Sequence, residues 1–231
     1  MRVLALDTAL GATSVALLDT ETNSILAEES VVMERGHSEA LMPMVERVLA
    51  AAGIEFSAVD RFGVTIGPGS FTGLRIGIAA ARGFALVHDR PAVGVSTLAA
   101  YAAPVLFGGE RRPVAAAIDA RNGMAFFQAM SVDGRTIAGP GLYRIEEAAR
   151  KTGDGAISFV GNAADRLAAA RRDGQVDFRF GAGSVSALPA PPVAWVARLA
   201  SAANPATSPA RPMYLREVNV TMGDRARLQR A

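Results

Sequence analysis

The sequence predicts an α/β protein of two duplicated lobes, each a mixed sheet flanked by helices. Apolar runs of strand length alternate with segments of helical period along all 231 residues. The second half of the chain also begins as the first half does. Asp7 and Gly11 recur as Asp119 and Gly123 at an offset of 112 (119 − 7 and 123 − 11), and an apolar second strand follows each time. Such a recurrence indicates a duplicated lobe.

The proline- and glycine-rich stretch 104–113 marks the predicted boundary between the lobes. We therefore predict one domain over residues 1–103 and a second over residues 104–231. Whether the final helix, 193–203, packs back on the first lobe is left open. Residues 219–231 include a basic run and are predicted to form a flexible tail.

The first lobe is predicted to open as an antiparallel meander and to continue as strand-to-helix units. Its predicted segments are strands at 3–6, 13–18, 25–32 and 61–66, helices at 37–52 and 71–87, and a third strand-to-helix step at 92–101. The second lobe is predicted to contain strands at 114–118, 124–130 and 157–160 and helices at 145–150 and 193–203. The same order of elements in both halves supports two related lobes with a cleft between them.

Composition excludes several classes of function. The chain has no cysteine, which rules out disulfides and thiolate metal sites and favours a reducing, cytoplasmic location. Net charge is only +2, without the clustered basic residues of a nucleic-acid surface. The two histidines, His37 and His88, are far apart in sequence and make a poor metal site. Neither a signal peptide nor a membrane span is expected.

The helix predicted after residue 70 is apolar on every face. Between residues 74 and 87 only Arg75 and Arg82 are charged. A helix of this kind must be covered on all sides, and one sheet covers a single side. Small residues recur at every fourth position from Gly73 to Ala85, so a neighbouring helix could approach closely. The cover is either the helix at 37–52 alone or a partner protein as well.

We predict that these two helices bind a partner. The predicted interface residues are His37, Leu41, Met44, Val45, Val48, Phe71, Leu74, Gly77, Ile78, Ala81, Arg82 and Ala85. Replacing Ala81 by arginine is expected to block the complex and to leave the lobe folded.

The most distinctive segment is the glycine-rich turn from Gly67 to Arg75. Its free N–H groups and the following helix dipole could hold an anion, although the spacing is that of neither standard phosphate loop. A candidate nucleotide or anion site therefore comprises Asp7, Thr8, Gly69 and Ser70. Two structural alternatives are equally compatible: a turn-stabilising role for Asp7, and a tight turn in which Ser70 caps the helix. In the second lobe, Asp119 and Arg121 could pair with each other or with a ligand carboxylate, and a salt bridge between them is the favoured expectation.

Taken together, these segments resemble the TsaB (YeaZ) family. The run Gly67-Pro68-Gly69-Ser70-Phe71-Thr72-Gly73-Leu74-Arg75-Ile76-Gly77 is similar to the hallmark of that family. Further matching segments follow in family order: Leu6-Asp7-Thr8, His37-Ser38, Gly94-Val95-Ser96-Thr97-Leu98, Asp119-Ala120-Arg121 and Pro212-Met213-Tyr214-Leu215-Arg216. The resemblance covers nearly the whole chain and thins after about Arg144.

The resemblance implies a fold and a role. The fold would be actin-like (ASKHA, ribonuclease H-like), and the protein would be a non-catalytic subunit in threonylcarbamoylation of tRNA adenosine 37 (t6A). It would form a heterodimer with the transferase TsaD and join TsaE in a larger complex. Alone it would form a homodimer, it would reach tRNA only through the complex, and it would not bind a membrane.

The sequence departs from the catalytic relative at one informative place. Where TsaD-like sequences carry two metal-binding histidines, this chain has Thr97 and Tyr101. The resemblance therefore implies no catalytic residue, no metal site and no tightly bound cofactor, with ATP or ADP and Mg²⁺ bound only in the complex. An ATP-dependent small-molecule kinase of the same fold is the main alternative, and a zinc peptidase is disfavoured.

Overall fold

A computed structural model describes residues 1–109, 111–153, 155–173 and 183–215, so the predicted tail at 219–231 lies outside the described residues. The first lobe is made of β1 (Arg2–Asp7), β2 (Ala12–Asp19), β3 (Ser24–Val32), α1 (His37–Ala52), β4 (Arg61–Gly67), α2 (Phe71–His88), β5 (Ala92–Ser96) and α3 (Thr97–Phe107). A short 3-10 turn at Phe56–Ala58 precedes β4.

The first sheet has the strand order β3-β2-β1-β4-β5. Strands β1, β2 and β3 pair antiparallel, whereas β4 and β5 run parallel to β1. Strands β1 and β2 are buried almost throughout and read as continuous apolar runs, because helices cover both faces of the sheet. Strand β3 alternates between exposed and half-buried residues, as expected for an edge strand with one face in solvent.

The second lobe repeats the same plan, which confirms the predicted duplication. Its elements are β6 (Val114–Asp119), β7 (Met124–Met130), β8 (Thr136–Arg144), α4 (Ile145–Arg150), β9 (Ser158–Val160), α5 (Ala164–Asp173), β10 (Val185–Ser186) and α6 (Val193–Ala202). The strand order β8-β7-β6-β9-β10 is that of the first sheet, and β6 begins 112 residues after β1 (114 − 2). The fold is a two-lobed, actin-like α/β architecture.

The last helix of each lobe packs against the sheet of the other lobe. Helix α3 packs Leu98, Tyr101 and Leu106 against apolar residues of β6 and β9. Helix α6 packs Val196 and Ala200 against β1 and β2 of the first sheet. The boundary predicted at residues 103 and 104 lies inside α3, which continues through Pro104 to Phe107 because its last turn still contacts the second sheet. No helix of the described ranges is both long and apolar enough to cross a membrane.

Candidate functional site

Helix α2 begins at the glycine-rich turn and has an inner and an outer side. Ser70 caps its N-terminus, and the Ser70 hydroxyl oxygen accepts a hydrogen bond from the Gly73 N–H at 3.3 Å. On the inner side, Leu74, Ile78 and Ala81 belong to the core of the first lobe together with residues of β1, β4 and α1. The inner side of the helix is therefore apolar because it faces its own sheet.

Most of the predicted interface residues lie in this core, which corrects the prediction for them. The buried ones are His37, Leu41, Met44, Val45, Val48, Leu74, Gly77, Ile78 and Ala81. They cannot contact a partner while the lobe is folded. The physical reason is close packing: a Cβ on Gly77 would lie 2.7 Å from the Thr8 hydroxyl oxygen, so the small residues bring α2 against its own lobe. Ala85 is half-buried against the same core.

The outer side of α2 is exposed and mostly apolar. We define the outer face of α2 by its exposed residues, which are Phe71, Thr72, Arg75, Ala79, Arg82, Gly83, Leu86 and Val87. Leu86 is 85% exposed and Val87 is 77% exposed, the two highest values among the large hydrophobic residues that the structure describes. Only Phe71 and Arg82 of this face were among the predicted interface residues. The exposed side of α2 could have been predicted from the positions of Arg75 and Arg82, because charged residues mark the solvent side of a helix.

Helix α1 lies beside α2 and offers a more polar surface. Its outward residues include Met42, Glu46 and Arg47. Arg47 forms a bidentate ion pair with Glu29 of β3, with nitrogen to oxygen distances of 3.0 and 2.7 Å. The buried His37 is fixed at the start of α1 by a 2.7 Å hydrogen bond between its Nδ1 and the Thr13 hydroxyl, and burial lowers its pKa. The unpartnered apolar surface of the helix pair is thus concentrated on α2.

The second candidate site is the turn after β1, and it is closed by the chain itself. The Ser70 N–H donates to the Ala9 carbonyl at 2.7 Å, and the Thr8 hydroxyl donates to the Gly73 carbonyl at 2.7 Å. A Cβ on Gly73 would lie 2.0 Å from the Thr8 carbonyl oxygen. The β1–β2 turn and the glycine-rich turn are therefore in direct contact, and the Ser70 N–H and the Thr8 hydroxyl are occupied by partners within the chain rather than free for a phosphate group.

Asp7 is completely buried beneath this contact. Its Oδ1 accepts hydrogen bonds from the Ala9 N–H and the Thr65 hydroxyl, the arrangement of a turn-stabilising aspartate. Its Oδ2 has no hydrogen-bond partner among the described residues. Burial raises the pKa of Asp7 to about 6, and the two hydrogen bonds offset only part of that effect.

We predict that Asp7→Asn stabilises the protein above pH 6. Because the folded-state pKa exceeds the unfolded value of 3.8, the contribution of Asp7 to stability is fully present below pH 3.8 and is lost as pH rises to about 6. A shift of roughly two units corresponds to about 3 kcal/mol at most. Urea unfolding of both proteins from pH 3.5 to 8 should show a difference that grows through this window. A constant difference would contradict the prediction.

Two further predicted positions, Tyr101 and Thr97, are buried in the structure. The Tyr101 hydroxyl donates to the Leu188 carbonyl at 2.9 Å, and burial, followed by the charge of Asp7, raises the pKa of Tyr101. Thr97 is also buried, and the described residues contain no group of three histidine, cysteine or acidic side chains that could hold a metal ion.

In the second lobe, the predicted salt bridge of Asp119 with Arg121 is wrong. Asp119 instead pairs with Arg166 of α5, whose guanidinium donates to the Asp119 Oδ1 at 2.8 Å. From Arg121 the same oxygen accepts a hydrogen bond of the backbone N–H, not of the side chain. Arg121 has a positive φ of 64° and lies in the tight turn between β6 and β7, where the carboxylate stabilises the turn.

The fold and these two sites define a two-lobed, actin-like protein with a closed turn at the end of β1 and an exposed apolar helix face. A family model described as TsaD, the tRNA N6-adenosine threonylcarbamoyltransferase, matches residues 25–194. The chain belongs to this family. It is similar to relatives named TsaB, for tRNA threonylcarbamoyladenosine biosynthesis, and to a solved structure named YeaZ.

Three individual similarities support this placement. The biosynthesis protein TsaB of Escherichia coli (strain K12) is 40% identical over 127 residues, which cover 55% of this chain and 54% of that protein. TsaB of Haemophilus influenzae is 37% identical over the same length, so the match spans about half of these curated relatives. The solved structure of YeaZ from Pseudomonas aeruginosa is 29% identical, with a TM-score of 0.74 over 93% of this chain and 99% of that chain.

Proposed function

We propose that this protein is a non-catalytic subunit for threonylcarbamoylation of tRNA adenosine 37, and that it binds and supports the TsaD transferase through the outer face of α2. TsaE would join the pair in a larger complex, and tRNA would be reached only through that complex. Alone, the chain would pair with a second copy of itself through the same face. The observation that carries the proposal is the exposed apolar surface around Leu86 and Val87.

The energetics favour a protein partner for this face. Burying a leucine or valine side chain is worth about 1.5–3 kcal/mol, so two exposed aliphatic residues side by side leave a substantial gain for association. Gly83 lies between them and the middle of the helix, and a Cβ there would meet no atom within 4 Å. The backbone of a partner helix can therefore approach α2 closely at this point.

The closed turn at Asp7 supports a subunit more than an independent ATP-dependent kinase. Phosphate binding there would require the contact between Ser70 and Ala9 to open. We therefore propose that the isolated chain binds no cofactor tightly and that ATP or ADP with Mg²⁺ is bound only in the complex. Calorimetry of the isolated chain with Mg-ATP distinguishes the two functions, since micromolar affinity would favour the kinase.

Leu86→Arg is expected to weaken the complex with the same organism's TsaD by at least 100-fold. The substitution places a charge at the centre of an apolar contact, where the guanidinium loses its water and has no opposite charge to pair with. Because Leu86 is 85% exposed in the free chain, the lobe should remain folded. Calorimetric titration of the two purified proteins measures the loss, and circular dichroism checks the fold.

The matched control is Ile137→Arg, which changes an aliphatic residue that is 50% exposed on β8 of the second lobe. It should bind TsaD as tightly as the unchanged protein. If Leu86→Arg is folded and keeps full affinity, the outer face of α2 is not the partner surface.

A further inference from the structure

The segment after α6 returns to the first lobe and is held there by backbone hydrogen bonds. The Gly94 N–H donates to the Ser208 carbonyl at 2.9 Å, and Pro209 forms an antiparallel bridge with Val93 of β5. Farther along, the Met213 N–H donates to the Ile66 carbonyl of β4 at 2.7 Å. These contacts fix the position of the next residue, Tyr214.

Tyr214 lies at the beginning of α2. Its ring stacks on Phe71 with 6.0 Å between centroids and 29° between planes. Arg75, one turn farther along the helix, places its guanidinium carbon 3.8 Å from the centroid of the same Phe71 ring. We call these three side chains the Phe71 cluster. Phe71 is 50% exposed and Tyr214 is 47% exposed, so the cluster joins two segments of the chain at the surface.

The composition and setting of the Phe71 cluster are those of a binding hot spot. Aromatic and arginine side chains dominate such sites, and their partial ordering before binding lowers the entropic cost of association. Helix α2 contains no acidic residue, and the described residues include no carboxylate that pairs with Arg75. The cluster is also continuous with the outer face of α2, because Arg75, Ala79, Arg82 and Leu86 follow one another at intervals of three or four residues.

We propose that the segment from α6 to Tyr214 extends the partner surface beyond the outer face of α2, and that the Phe71 cluster is its hot spot. The occupant is the catalytic relative, which would place an aromatic or aliphatic group against the exposed rings and a carboxylate on Arg75. This inference rests on the proposed function. It assigns a binding role to the segment around Tyr214, whereas the prediction from sequence placed the interface on the two helices alone.

The test uses Tyr214→Ala in the full-length chain, titrated with purified TsaD. Affinity is expected to fall 10- to 100-fold, because both the contact of the Tyr214 ring and its support of Phe71 are lost. Tyr214→Phe keeps the ring and should bind within threefold of the unchanged protein. Arg75→Ala should weaken binding as well, and the remaining affinity should depend less on salt concentration, since one charge pair is missing.

Leu86→Arg separates failure of this inference from failure of the proposed function. If Leu86→Arg breaks the complex while Tyr214→Ala binds normally, the Phe71 cluster is not a hot spot and the proposed function stands. If neither variant changes the affinity, neither the outer face of α2 nor the Phe71 cluster contacts TsaD. If the unchanged chain does not bind TsaD, the proposed function fails and the cluster has no such partner. A normal unfolding midpoint for Tyr214→Ala shows that a loss of affinity comes from the surface.

Discussion

Ala81→Arg is expected to unfold the first lobe rather than to interfere with a partner. Ala81 has 0% exposure and packs in the core between α2 and the first sheet. An arginine there must bury a charge without an acceptor and must also displace close-packed neighbours. Costs of about 4–5 kcal/mol or more are expected for such changes, against a total stability of about 5–15 kcal/mol.

Urea unfolding followed by circular dichroism measures this effect. Ala79→Arg is the matched control, because Ala79 lies on the same helix but is exposed. That variant should unfold with an ordinary midpoint and should weaken the complex with TsaD, whereas Ala81→Arg should lose structure before any partner is added. A well-folded Ala81→Arg protein would contradict the burial of this residue and would restore the interface first predicted from the sequence.

The duplicated fold could be predicted because its signals are local and repeated. Strand-length apolar runs and helical periodicity fix the element types, and the recurrence of Asp7 and Gly11 at Asp119 and Gly123 indicates that the same order is used twice. The packing of α3 on the second sheet and of α6 on the first sheet could not be predicted in the same way. Both helices are apolar and follow a sheet of their own lobe, so the sequence does not say which sheet they cover.

Most interface residues predicted on α2 lie on the side of the helix that the structure buries, whereas the proposed partner surface lies on its exposed side. A helix that is apolar all round gives no periodic signal for its inner face, and the small residues from Gly73 to Ala81 suit close contact with a sheet as well as with a partner. The structure separates the two sides: Ala81 faces the core and Leu86 faces solvent. Tyr214 lies in a segment that resembles the family, but no local signal predicts its contact with Phe71, which is 143 positions away (214 − 71).

Gly73→Val should destabilise the protein by about 3–5 kcal/mol. A Cβ on Gly73 would lie 2.0 Å from the Thr8 carbonyl oxygen, which is backbone and cannot rotate away. Helix α2 would have to withdraw from the β1–β2 turn, and this would break the hydrogen bonds from Ser70 to Ala9 and from Thr8 to Gly73, each worth about 1 kcal/mol.

Gly83→Val is the same substitution in the same helix, at a position where a Cβ meets no atom within 4 Å. Because glycine and valine differ by only about 0.5 kcal/mol in helix propensity, its unfolding free energy should stay close to that of the unchanged protein. The difference between the two variants in urea unfolding therefore measures the tight contact alone. Equal stability would mean that the glycine-rich turn is not packed against β1, and the space between them would then be open to an anion.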